Sequence, residues 1–141
     1  MTFESDPELK ERLETVIERF GCRAGTLHRL DGDMLHLVAH VHIPDPVLQK
    51  IKHIPVGKGM AGAAAAREEP VQVCNLQTGE TDVAEEGARE TGMAGSIAVP
   101  VFDDDGVLKG SLGIAKAEEY EFSDEECEEL LDVAGEIAEE I

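Results

Sequence analysis

Apolar residues recur along the chain with two periods, and the change from one to the other divides it. Leu9, Leu13, Val16, Ile17 and Phe20 fall on one face of a helix predicted from Asp6 to Phe20. Ser5 and Glu8 form a capping-box pattern, Pro7 sits just inside the start, and Gly21 ends the helix. The far end has the same grammar. Ser123 and Glu126 make a second capping box before Cys127, Leu130, Leu131, Ala134, Ile137, Ala138 and Ile141, and the remaining faces are nearly all carboxylate.

Between these helices the pattern becomes one of short apolar runs and turns. Cys22 to Leu30 and Met34 to Ile43 flank Asp31-Gly32-Asp33, a hairpin signal. In the second run His36, Val38, His40 and His42 are expected on one face, with Leu37, Ala39, Val41 and Ile43 on the other. Ser96 to Phe102 and Val107 to Ala117 form another hairpin around Asp103-Asp104-Asp105-Gly106, provided Pro100 avoids a ladder hydrogen bond. In the middle lie a short helix at Pro46 to Ile51, a turn at Gly57-Lys58-Gly59, a small-residue helix from Met60 to Arg67, and a short strand from Val71 to Cys74. The stretch from Asn75 to Gly95 reads as a long connection, with a possible acidic helix near Val83 to Glu90; such loops often wall a binding site. This order predicts an α+β fold with a largely antiparallel sheet.

At 141 residues and 15.2 kDa the chain is expected to form a single domain, residues 1–141, whose core needs no disulfide or metal. The formal charge is -19, from 31 acidic and 12 basic residues, so nucleic acid and anionic membranes are unsuited partners. The charge is uneven. Glu118 to Ile141 holds 12 carboxylates and no Lys or Arg, whereas Phe20 to Gly79 is nearly neutral. Three widely spaced cysteines, Cys22, Cys74 and Cys127, an acidic N-terminus and no long apolar run point to a cytoplasmic protein with neither signal peptide nor membrane span.

Several segments together resemble the GAF domain family: Gly57-Lys-Gly-Met-Ala-Gly62, Pro70-Val-Gln-Val, Gly92-Met-Ala-Gly-Ser-Ile-Ala-Val-Pro100, Gly106-Val-Leu-Lys-Gly-Ser-Leu-Gly-Ile114, and Phe122 before the last helix. The resemblance spans roughly Leu9 to Ile141. It implies a central antiparallel sheet of five or six strands, terminal helices on one face and a loop-lined small-molecule pocket on the other. It also implies a sensory or regulatory role for most members, and reduction of free methionine-R-sulfoxide for one branch. Members usually sit in longer signalling chains; with no output segment in this sequence, the chain is expected to signal through a separate partner, to act as a binding protein or to be catalytic, and a stand-alone sensory protein that signals through a separate partner is the expectation adopted.

The reductase branch places a cysteine where this chain has Ala61, and another in the long loop, which here holds Arg89 near that place. A thiol-dependent reductase is therefore disfavoured, binding is favoured over catalysis, and no catalytic residue is assigned. A ligand-free structural or interaction module is the alternative. The candidate ligand-binding residues are His53, Lys58, Met60, Arg67, Cys74 and Ser96. Gly57, Gly59 and Gly62 fail the phosphate-loop spacing, but Lys52, Lys58 and Arg67 would draw an anionic metabolite to this near-neutral middle. His40, His42 and His53 could in principle converge on a metal, yet no HExxH-type pair supports it, and no metal is assigned. The cofactor is left unknown. Surplus apolar positions on the last helix, Leu131, Ala134, Ala138 and Ile141, predict a homodimer through the terminal helices.

Overall fold

The computed structural model describes residues 6–73 and 93–141, so Ser5, Cys74, Arg89 and most of the long connection lie outside the described residues. Helix α1 runs Pro7–Arg19. Its cap is Asp6, whose carboxylate accepts from the amides of Glu8 at 3.0 Å and Leu9 at 3.2 Å. A carboxylate next to Pro7 thus fills the role that the sequence pattern gave to Ser5. Strands β1 (Ala24–Asp31) and β2 (Met34–Val41) form the first hairpin, with Gly32 at φ +65° in its two-residue turn. Helix α2 (Asp45–Ile51), strand β3 (His53–Pro55), helix α3 (Gly59–Arg67) and strand β4 (Val71–Val73) follow. Strands β5 (Ser96–Phe102) and β6 (Leu108–Ala115) make the second hairpin, and helix α4 (Asp124–Ile137) with a short 3-10 turn completes the described chain.

The six strands form one antiparallel sheet in the order β3-β2-β1-β6-β5-β4. Helices α1 and α4 cover one face. Leu13, Val16 and Ile17 from α1 and Leu130, Ala134 and Ile137 from α4 pack there with Leu27, Leu112, Ile114, Val99 and Val101. Gly25 is required by this contact, because a Cβ there would lie 2.9 Å from the Ile17 side chain and 3.0 Å from the Gly113 carbonyl. Pro100 is tolerated for a simple reason: β4 begins at Val71, opposite Ala98, so no strand stands beside Pro100 on that edge.

Strand β2 departs from the alternation read in the sequence. Leu27 faces Ala39 but His28 faces Leu37, which leaves Val38 as an extra residue at a bulge. Residues directly opposite share a face, so Leu37 belongs to the layer of His28 and Ala39 to the helix-covered layer, not to one apolar face. The terminal stripe is corrected as well. Ala134 and Ala138 are buried within the chain, and Arg12 and Arg19 of α1 pair with Glu140 and Glu129 beside α4. Of the surplus positions expected to meet a second chain, only Leu131 and Ile141 are partly exposed. Among the described residues no helix is long and apolar enough to cross a membrane.

Candidate functional site

The opposite sheet face is built from small residues, and this makes room for a cavity of about 340 Å³. Ala24 and Thr26 of β1, Gly113 and Ala115 of β6, and Ser96 and Ala98 of β5 line it, standing in register across three adjacent strands. At about 30 Å³ per water, the space equals roughly 11 waters, which suits a metabolite of on the order of ten to fifteen non-hydrogen atoms. The walls come from α2 and β3 through Val47, Lys50, Ile51, His53 and Ile54, and from the start of α3 through Lys58, Gly59, Met60 and Ala61.

The glycine turn sets where α3 begins. The Gly57 amide donates to the Gly62 carbonyl at 2.8 Å and the Lys58 amide to the Pro55 carbonyl at 3.1 Å, locking the turn against β3. Gly57 and Gly59 take φ of +97° and +64°, and a Cβ on Gly62 would lie 2.7 Å from the Pro55 oxygen. Behind this turn, Ala63 and Ala64 pack on Val71, Val73 and Ala98, where larger side chains would push the helix off the sheet. The helix therefore presents its N-terminal end, which favours negative charge, to the cavity.

His28 was only one of five histidines in the sequence, yet it is the most distinctive group at the site. It is 1% exposed, and its Nε2 lies 2.9 Å from the Ile51 carbonyl at the end of α2. A carbonyl only accepts, so Nε2 carries the hydrogen. Burial pushes the imidazole pKa down to about 4, so the ring is neutral at pH 7. His53, at the rim, is oriented by His36: their Nδ1 atoms are 2.8 Å apart and the rings meet edge to face at 4.9 Å. Ser96 Oγ donates to the Ile114 carbonyl at 3.4 Å while lining the cavity.

The structure thus brings His53, Lys58, Met60 and Ser96 to one cavity, from β3, the start of α3 and β5. Arg67 stands apart from it, since the rise of α3 carries it about 12 Å along the helix from Gly59. Lys50, rather than Lys52, joins Lys58 on the wall. Thr26, His28 and Gly113 were not anticipated as site residues; their strand parity was readable, but their place opposite α2 and α3 was not. Cys22 and Cys127 lie away from the cavity against the helical core, and burial raises the Cys22 thiol to about 11. Among the described residues no three His, Cys, Asp or Glu side chains are grouped to hold a metal ion.

A family model for the GAF domain matches residues 9–141. The chain belongs to the GAF domain family. Solved GAF domains repeat the fold. That of a phosphoenolpyruvate-protein phosphotransferase from Coxiella burnetii is 23% identical with a TM-score of 0.76, covering 95% of this chain and 80% of that one. A type II free methionine-R-sulfoxide reductase from Thermoplasma acidophilum is 18% identical with a TM-score of 0.74, over 94% and 89% of the two chains. A domain assigned to a two-component sensor histidine kinase of Sinorhizobium meliloti 1021 is 16% identical with a TM-score of 0.70, over 95% and 88%. No curated protein sequence matches the chain significantly. At these identities the likeness is one of fold, and GAF domains of this fold commonly serve sensing or regulation.

Proposed function

We propose that this GAF domain is a sensory or regulatory module that binds a small organic anion in the cavity on the α2 and α3 side of the sheet and passes the signal to a partner protein. One observation carries the reading. In a chain of net charge -19, the charged side chains lining the cavity are Lys50 and Lys58, and no carboxylate among the described residues lines it. Lys58, at the start of α3, carries a charge opposite to that of the chain as a whole, and the N-terminal end of α3 adds to it. His53, Lys58 and Met60 on the walls and Ser96 on the sheet face are the proposed contacts, and the small residues of that face set the size of the ligand.

Reduction of a sulfoxide is the less favoured chemistry, although a reductase shares the fold. It needs an attacking thiol, and the cavity wall carries Ala61 where the resemblance placed one; Cys22 and Cys127 lie elsewhere. Titration calorimetry against cyclic nucleotides, 2-oxo acids, amino acids and hydroxylated carboxylates tests the proposal. At least one anionic member is expected to bind saturably, with affinity falling at high salt and in Lys58→Glu. Failure of every member to bind refutes it.

A homodimer through the terminal helices belongs to the same proposal and rests on Leu131 and Ile141, both partly exposed beside the core. The carboxylates of α4 repel their symmetry mates, so association is expected to strengthen with salt. Sedimentation equilibrium of wild type and Leu131→Glu at low and high salt checks it; a monomeric mass at both salt concentrations refutes it.

A further inference from the structure

His36 and His53 stand directly opposite each other on β2 and β3, and residues so placed share a face of the sheet. Their Nδ1 atoms lie 2.8 Å apart with the rings edge to face. A neutral imidazole has one N–H and one lone pair, so two Nδ1 atoms at this distance share a single hydrogen. The Asp31 carboxylate is 3.9 Å from the other ring nitrogen of His36, Nε2, and favours the hydrogen of that ring there. Nδ1 of His36 is then the acceptor and Nδ1 of His53 the donor. Moving the His53 hydrogen through solvent to its own Nε2 leaves two lone pairs facing one gap, with no net proton released.

We propose that this pair is a chelating site for a divalent transition-metal ion of the Ni(II) and Cu(II) class, with two imidazole ligands and water in the remaining positions. The inference goes beyond the anion site and does not depend on it. Imidazole nitrogen suits such metals. Two nitrogens 2.8 Å apart, each about 2.0 to 2.1 Å from an ion, subtend about 85° at it, near the right angle of tetragonal and octahedral ions rather than the roughly 109° of a tetrahedral one. Asp31 holds the outer place from which carboxylates orient metal-bound imidazoles and make them more basic. The chain's charge of -19 draws cations to its surface, and Asp31 offsets Arg29, which stands opposite His36 on β1. His36 is half-buried between its neighbours, whereas His53 is exposed and its ring can turn its lone pair onto the ion.

Calorimetric titration of the whole chain with nickel, copper and zinc chlorides tests this. One Ni2+ or Cu2+ is expected to bind per chain at this site, with Ni2+ held at least as tightly as Zn2+. His36→Gln and His53→Gln are each expected to lower Ni2+ and Cu2+ affinity at least about tenfold, because either change leaves a single imidazole. His40→Gln, on the same strand as His36, is expected to change it less than about twofold. Paramagnetic broadening gives a readout in wild type that needs no variant to fold: substoichiometric Cu2+ added to nitrogen-15-labelled protein is expected to broaden the amides of His36, His53 and Arg29 before those of His40 and Leu130. Affinity unchanged in His36→Gln, an equal loss in His40→Gln, tighter binding of Zn2+ than of Ni2+, or broadening that spares His36 and His53 overturns the inference. Each of these results leaves the anion site standing, and failure of the anion panel to bind leaves the metal site standing.

Discussion

Burial of His28 makes folding acid-sensitive in a defined window. In the unfolded chain the imidazole takes up a proton near pH 6.5, whereas in the folded protein it resists until about pH 4. Between those values the unfolded state binds the extra proton, so stability falls as pH drops from 6.5 to 4 and this contribution is flat outside that range. At about 1.4 kcal/mol per pH unit the full window is worth about 3 kcal/mol. The 31 carboxylates also respond to acid, partly in the opposite sense, because protonation relieves the repulsion of a chain at -19. The useful quantity is therefore the difference between wild type and His28→Leu, in which the carboxylate background cancels. Urea unfolding followed by circular dichroism from pH 7.5 to pH 5, above the pI near 4.4, measures it. Wild type is expected to lose about 2 kcal/mol relative to the variant across that range. A difference constant within about 0.5 kcal/mol would show that His28 is not held neutral by burial and would refute this reasoning.

Three further substitutions have expected outcomes. Gly113→Ala places a methyl on the cavity floor, 3.2 Å from Thr26 Oγ1, so probe affinity is expected to drop several-fold by calorimetry while stability changes by less than about 1 kcal/mol. Ser123→Ala removes the hydroxyl that accepts from the Glu126 amide at 3.1 Å and breaks the capping box of α4; a loss of about 1 kcal/mol in urea unfolding is expected. Gln72→Ala cuts the side-chain clamp that accepts from the Phe122 amide at 2.9 Å and donates to its carbonyl at 3.2 Å. Faster hydrogen exchange at Phe122 and a loss of about 1 kcal/mol are expected, and unchanged exchange would show that the clamp does not hold the entry to α4.

What the sequence displayed was the part fixed by local chemistry. The helical period of Leu9 to Phe20, the Ser123 and Glu126 box, and Gly32 and Gly106 in the hairpin turns each depend on neighbours a few residues away. Strand β3 escaped notice because three residues are too few to show a period, and its pairing with Met34 to His36 is a tertiary choice. The bulge at Val38 was hidden for the opposite reason. Burial still alternates along β2, but both faces of the sheet are packed, so alternation does not say which layer each residue joins. At the site, Lys58 and Met60 were legible through the glycine turn beside them. His28 was not, since its character comes from the Ile51 carbonyl 23 residues away and from Ser111 across the sheet. Arg67 misled because charge was read without the length of the helix that carries it.

The central claim is that this sheet face holds a small anion, and a backbone amide titration tests it most directly. Nitrogen-15-labelled protein titrated with 4-hydroxybenzoate is expected to show saturable shifts at Thr26, His28, Gly59, Met60 and Gly113, which meet at the cavity from β1, α3 and β6, with Leu13 and Leu130 in the helical core unmoved. Shifts confined to the α1 and α4 side, or no saturable shift at the cavity residues, would contradict it.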